Sequence, residues 1–188
     1  PMSERLPVHT AETAPDQAGP SIEQATAAFG FLPNLIGIMA SSPALAEAYL
    51  ALSDIFQTKT SLDATEQHVV LLTVSRYHEC HYCMAAHSTT AGMMGVDSGV
   101  VEAIRNDQPI SNPRLEALRV LTREIVDRRG WPSEATQQRF FDAGFEPSQL
   151  LDVLVGIAQK TLSNYTNHIG GTPLDAPMQA NEWQPPST

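Results

Sequence analysis

The sequence repeats alanine and leucine at spacings of three and four residues, and residues that favour helix caps separate these repeats. The alternation of apolar and polar residues that marks a half-buried strand is absent. Asp63 and Glu66 are spaced as the N-cap and N3 residues of a capping box, directly ahead of the apolar run TEQHVVLLTVSRY. The pattern therefore predicts an all-α protein.

Capping residues also predict where the other helices begin and end. The expected N-terminal signals are small polar residues or prolines at these positions: Ser21, Pro33, Ser42, Asp97, Asn112 and Ser133. Gly30 is expected to close the helix that Ser21 opens, and Gly170 with Gly171 to end the long last helix, PSQLLDVLVGIAQKTLSNYTNH.

The length of the chain, 188 residues with 42% hydrophobic content, suits a single compact domain. We expect a polar leader over residues 1–20, one helical domain over 21–171 and a Pro-containing tail over 172–188. Trp183 is the obvious residue to anchor that tail.

The charge balance excludes some classes of partner. The formal net charge is -10, and the 11 basic residues are scattered, so the chain lacks a surface suited to nucleic acid. No apolar run approaches the roughly 20 residues that a membrane span needs, and the first residues lack a signal-peptide pattern. We therefore expect a cytoplasmic protein without a membrane partner.

Both cysteines lie in one short stretch, HECHYCMAAH. On a helix, Cys80, Cys83 and His87 fall within about 60° of one another, because each residue advances the helix by about 100°. The two Cα atoms would be about 5 Å apart, which suits a reversible disulfide. If Cys80 begins the helix, the helix dipole favours a thiolate there, and His87 can either take the proton of Cys83 or stabilise its thiolate.

The same spacing leaves other interpretations open. Two cysteines separated by two residues form half of a zinc site, and His87 with His78 or His81 could complete it. The thiols could also be unreactive core residues.

The order Cys80-x-x-Cys83-x-x-x-His87, preceded by VVLLTVS, resembles the AhpD-like / carboxymuconolactone decarboxylase superfamily. FGFLPNLIGIMASSPALAEAYLAL, STTAGMMG and the last helix extend the resemblance over roughly residues 22–170. It implies a helical bundle that assembles into trimers or hexamers and reduces peroxides through a disulfide cycle. It further implies that Cys83 is the peroxidatic thiol, Cys80 the resolving thiol and His87 the group that activates Cys83.

The sequence departs from the family at the head of the proton relay. The resemblance implies a glutamate twelve residues before Cys80, and His68 stands there instead. His68 itself, or Glu79 next to Cys80, is a candidate to replace it. The polar run SNYTNH could place Asn164, Tyr165 or His168 near the site, but such a run is more typical of a polar helix end.

The leading hypothesis is a thiol-dependent peroxidase that uses a hydroperoxide substrate and an external dithiol or protein reductant, without a cofactor. Two alternatives remain. One is a non-redox enzyme like the decarboxylases of the family, which need no cysteine pair. The other is a zinc-stabilised or purely structural oligomer.

Overall fold

The computed structural model describes residues 2–186, with the side chains of residues 4–186. Pro1 and residues 187–188, the extreme ends of the predicted leader and tail, lie outside this range. The described range contains ten α-helices and no strand, which confirms the all-α class. The helices are α1 (Met2–Arg5), α2 (Gly19–Phe29), α3 (Asn34–Met39), α4 (Pro43–Lys59), α5 (Ala64–Tyr77), α6 (His81–Met93), α7 (Ser98–Arg105), α8 (Pro113–Asp127), α9 (Glu134–Asp142) and α10 (Pro147–Gly170). Two short 3₁₀ segments span Asp16–Ala18 and Ala176–Asn181.

The predicted capping box begins α5. Asp63 accepts a hydrogen bond from the backbone N–H of Glu66 at 2.8 Å, and Glu66 accepts one from the N–H of Asp63 at 3.0 Å. Side-chain caps at four further helices are confirmed: Ser42, Asp97, Asn112 and Ser133. Gly30 ends α2 with a φ of 79°, a left-handed conformation that favours glycine.

Two predicted helix starts are wrong by one or two residues. The helix expected at Ser21 begins at Gly19, because Pro20 fits the first turn, where its missing N–H has no helical partner to lose. Pro33 precedes α3 as its N-cap, since its ψ of 141° is extended rather than helical.

Helix α5 is the central element of the bundle. All residues from Glu66 to Ser75 are buried, and α6, α7, α8 and α10 pack around it. A helix that is apolar or internally bonded on all sides can bury its whole surface in this way. Because α6 follows α5 after a three-residue turn, the predicted cysteine motif starts inside the bundle.

Helix α10 approaches α4 and α5 closely at Gly156. A Cβ at this position would lie 2.8 Å from side-chain atoms of both Phe56 and Val70, closer than van der Waals contact permits. Glycine therefore allows the backbone of α10 to sit against the core. The next turns of α10 consequently run alongside the cysteines of α6.

The C-terminal tail packs along α6. Asp175 accepts hydrogen bonds from the hydroxyl of Tyr82 at 2.5 Å and from the N–H of Asn34 at 3.2 Å. Trp183 is buried, and its Nε1 donates to the carbonyl of Arg105 at 3.1 Å. The tail is thus anchored at Asp175 as well as at the predicted Trp183. Within residues 2–186, no helix combines the length and apolar character needed to cross a bilayer.

Candidate active site

The two cysteines lie at the start of α6, as the sequence predicts. Cys80 is the N-cap residue, and its Sγ lies 3.5 Å from the backbone N of Cys83. Glu79 makes the turn before it with a φ of 54°, a left-handed conformation unusual for a residue other than glycine. Both thiols are free, and their exposed fractions are 0% for Cys80 and 1% for Cys83. The dithiol is therefore a buried feature of the chain.

One face of α10 supplies the polar surroundings of the sulfur atoms. Asn167 spans the pair, with Nδ2 at 3.2 Å from Sγ of Cys83 and 3.5 Å from Sγ of Cys80. The Oγ of Ser163 lies 3.6 Å from Sγ of Cys83. Because hydrogen bonds to a charged sulfur favour the charged form, this face suits a thiolate.

Lys160, on the same face, brings a positive charge to the site. Its side chain is 0% exposed, and its Nζ lies 3.9 Å from Sγ of Cys83. The same Nζ lies 2.5 Å from Nε2 of His87 and 3.5 Å from the hydroxyl of Tyr49. Burial is the largest single influence and would lower the pKa of Lys160, but the charge of Cys83 together with Tyr49 and Cys80 raises the pKa above its ordinary value. Lys160 is therefore a buried ammonium group facing a sulfur.

The two thiols differ in protonation. Burial would raise the pKa of Cys83, but the hydrogen bond with Cys80 and the charge of Lys160 lower it to about 5. The pKa of Cys80 is raised, chiefly because its S–H group donates a hydrogen bond to Cys83, and secondly because the side chain is buried. Cys83 is thus the thiolate and Cys80 the thiol. The expectation that the helix dipole favours a thiolate at Cys80 is wrong, because that sulfur is the hydrogen-bond donor of the pair.

His87 reaches Cys83 through Lys160 rather than by the direct proton transfer expected from the sequence. Burial, with the charge of Lys160 next, holds the pKa of His87 well below its ordinary value. A neutral ring accepts at one nitrogen, so Nε2 accepts from Lys160 and the ring proton is on Nδ1. The structure brings His87 to the site as the partner of the ammonium group.

His68 lies behind His87, on α5. Its Nδ1 donates to the carbonyl of Ala64 at 2.8 Å, and its ring meets that of His87 edge-on at a centroid distance of 6.3 Å. Burial lowers the pKa of His68, so it is neutral at pH 7. The structure therefore places His68 beside His87, at the end of the series of contacts from Cys83 through Lys160 to His87.

Glu79 is not brought to the sulfurs. Its side chain is exposed and lines a separate cavity of about 300 Å³ together with Arg76, Arg119 and Arg123. Sequence adjacency to Cys80 placed it near the motif, but the turn of the backbone directs the two residues to different surroundings.

Most of the contribution of α10 to the site was not predicted from the sequence. The interpretation of SNYTNH as an ordinary polar helix end is wrong for Ser163, Asn164 and Asn167, which are buried. Asn164 accepts a hydrogen bond from Nδ1 of His78 at 3.0 Å, whereas Tyr165 and His168 are exposed. The missed signal is a polar stripe at helical spacing: Lys160, Ser163, Asn164 and Asn167. Within residues 2–186, no group of three or more His, Cys, Asp or Glu side chains is arranged to hold a metal ion.

The described part of the chain is thus an α-helical domain with a buried cysteine pair at the start of an internal helix. Residues 43–123 match the model of the carboxymuconolactone decarboxylase family. No curated protein sequence matches the chain significantly. The matched range covers α4 to α7 and most of α8, so this part of the chain is similar to that family.

Solved structures share this fold at low sequence identity. One is an uncharacterized peroxidase-related protein with an alkylhydroperoxidase AhpD core from Ralstonia eutropha JMP134, with 21% identity, 93% of each chain covered and a TM-score of 0.79. Another is a peroxidase-related protein from Silicibacter sp. TM1040, with 18% identity, 91% of this chain and 90% of the other covered and a TM-score of 0.75. The debrominase Bmp8 has 18% identity, 88% and 90% coverage and a TM-score of 0.74.

Proposed function

We propose that this protein is a thiol-dependent peroxidase that reduces hydroperoxides in the cytoplasm through a Cys80–Cys83 disulfide cycle. The observation that supports it is the unequal pair of sulfurs. Cys83 is a thiolate, the nucleophilic form, and the adjacent Cys80 retains its proton. The family-model match over residues 43–123 and the fold shared with peroxidase-related proteins support the same class of activity.

The reaction begins at Cys83. Its thiolate attacks one oxygen of the hydroperoxide, so that an S–O bond forms, the O–O bond breaks and the other oxygen leaves with the electron pair and takes up a proton. The sulfur is oxidised to a sulfenic acid while the peroxide is reduced to an alcohol or water.

Cys80 completes the oxidative half of the cycle. Its thiol condenses with the sulfenic acid, forming the S–S bond and releasing water. Asn167 contacts both sulfurs and thereby favours this step, because it holds them on the same side of α10. An external dithiol or a protein reductant then restores both thiols by thiol–disulfide exchange.

A count of free thiols after mixing with one equivalent of hydroperoxide tests the proposal. We expect the wild type to lose both thiols, and Cys80→Ser to accumulate a sulfenic acid that a sulfenic-acid probe traps. Cys83→Ser should retain its remaining thiol, since the nucleophile is gone. Thiols that stay free in the wild type under these conditions would contradict the proposal.

A second candidate is a non-redox enzyme of the decarboxylase type. The contact of 2.5 Å between Lys160 and His87 favours it, because this pair offers acid–base chemistry that needs no sulfur. A Cys80→Ser/Cys83→Ser double variant distinguishes the two. A non-redox enzyme should retain its activity on a lactone acid in this variant, whereas a peroxidase should lose all turnover.

We also propose that the chain forms a homo-oligomer, a trimer or a hexamer. The exposed face of α10 supports this, because it carries large apolar side chains that a monomer would leave in water: Leu151, Leu154, Tyr165 and Ile169. These side chains are separated by three, eleven and four residues, which places them within about 60° of one another on one face of the helix, where a second helix can pack.

A further inference from the structure

The proposed reaction needs a proton donor at the moment when the O–O bond breaks. The departing oxygen of an alkyl hydroperoxide is an alkoxide, a strong base whose release is slow unless an acid protonates it. Cys83 has no proton to give, because it reacts as the thiolate. The donor must therefore lie beside Sγ of Cys83.

The groups that face Nζ of Lys160 are few. They come from three helices packed against α10: Tyr49, His68, Cys80, Cys83 and His87. Cys80 needs its proton for the condensation that forms the disulfide. Both histidine rings are neutral, with pKa values below the ordinary one, and Nδ1 of His68 is bonded to a backbone carbonyl.

We propose that Lys160 is the catalytic acid, which gives a proton from Nζ to the departing oxygen as the thiolate of Cys83 attacks. This inference rests on the peroxidase function proposed above. Its geometric support is that the ammonium group contacts the reacting sulfur at 3.9 Å, while its side chain is wholly shielded from bulk water. An acid in this position is oriented before the substrate arrives.

The step balances in atoms and charge. The thiolate, the hydroperoxide and the ammonium group become a sulfenic acid, an alcohol and a neutral amine. Nε2 of His87 then faces a neutral partner, so it can take up a proton from water and pass it to Nζ over 2.5 Å. Because His87 is only partly buried, it connects the buried lysine to solvent.

Two oxidants with different leaving groups separate this role from simple stabilisation of the thiolate. Peracetic acid releases acetate, a weak base that needs no proton at neutral pH, whereas tert-butyl hydroperoxide releases a strongly basic alkoxide. In Lys160→Met, the loss of thiolate slows both reactions equally. Loss of the acid should slow the reaction with tert-butyl hydroperoxide by a further factor of about 100 or more, since general acids contribute about 10²–10⁴-fold.

The measurement is the single-turnover rate of thiol loss with each oxidant. Lys59→Met is the matched control, because Lys59 is the only other lysine of the chain and is exposed. Tyr49→Phe tests the neighbouring hydroxyl. Lys160→Arg, which keeps the charge but does not release a proton, should show the same selective loss and serves if Lys160→Met fails to fold.

The outcomes are distinct. Equal slowing with both oxidants in the Lys160 variants would overturn the acid role and leave the peroxidase intact, and so would a selective loss in Tyr49→Phe alone. A wild type that reacts with peracetic acid alone would overturn the acid role, since no proton reaches the alkoxide. A wild type that reacts with neither oxidant would overturn both proposals.

Discussion

Replacing Lys160 with methionine should convert Cys83 from mostly thiolate to mostly thiol at neutral pH. Methionine is unbranched, flexible and apolar, so it occupies the lysine's buried volume without the charge. The hydrogen bonds to Cys83 from Cys80, Ser163 and Asn164 would remain. The variant therefore isolates the electrostatic contribution of one ammonium group.

The distance between the two charges sets the size of the effect. Two unit charges 3.9 Å apart interact by about 4 kcal/mol at an effective dielectric constant of about 20. Removing this interaction should therefore decrease the acid dissociation constant of Cys83 by about a thousandfold. Since the pKa of Cys83 is about 5 and that of an ordinary thiol 9.0, most of the lowering should disappear.

Ultraviolet absorbance of the thiolate, followed from acid to alkaline pH in the fully reduced protein, measures this change. The difference between each protein and its Cys83→Ser counterpart assigns the signal to Cys83. Lys59→Met should titrate as the wild type does, because that exposed lysine lies on α4, outside the thiol cluster. A Lys160→Met variant with an unchanged thiolate titration would refute the reasoning, and would show that hydrogen bonds alone hold the charge.

Four further results are expected. Gly156→Ala should lower the free energy of unfolding by about 1–3 kcal/mol, because the added methyl group overpacks the core. Gly92→Ala, in open space on α6, should raise the free energy of unfolding by about 0.4–1 kcal/mol. Urea unfolding measures both variants, and equal effects would contradict the close approach of α10. The reduced protein should gain stability as pH rises from about 5 to 9.0, because the native Cys83 binds fewer protons than the unfolded thiol over this range. Thermal unfolding measures this gain, and Cys83→Ser should lack it above pH 6.5. Below pH 6.5 the comparison is less specific, because the lowered pKa values of His68 and His87 also make stability rise with pH. Leu154→Lys should shift the assembly toward monomer in sedimentation velocity, and an unchanged assembly would contradict an interface on α10. His68→Glu should decrease the thiolate fraction of Cys83, because a carboxylate beside the buried lysine raises the pKa of a nearby thiol. His68→Gln is the neutral control. An increased thiolate fraction in His68→Glu would contradict the prediction.

Much of the fold could be predicted because helix ends depend on neighbours in the sequence. The capping box of Asp63 and Glu66 and the cap at Asn112 are contacts within a single turn, so the residue pattern contains them. The predicted start of α2 was wrong because proline can stand just before a helix or in its first turn, and the local sequence pattern does not decide between these two positions.

The site was predictable only where it is local. Cys80, Cys83 and His87 share one face of α6 by spacing alone, whereas Lys160 lies 77 positions after Cys83 and meets it only through the packing of α10. Its polar stripe resembles a solvated face because sequence periodicity shows that a helix has two faces without showing which is buried. In the C-terminal half of α10 the usual order is inverted: polar residues face the sulfurs, and Tyr165 and Ile169 face outward.

The histidine at position 68 and the lysine at position 160 are consistent with each other electrostatically. A carboxylate at position 68 would lie among the groups that face Lys160, and the ammonium charge would then be shared between that carboxylate and Cys83. With a neutral His68, the buried positive charge acts on the sulfur alone. A relay headed by a carboxylate draws protons away from the thiol, whereas here the thiol is already ionised and the stored proton lies on Lys160. The loss of the expected glutamate therefore does not remove the chemistry of the site. Instead of a carboxylate that must accept a proton from the thiol, the site has an acid, Lys160, that can donate one.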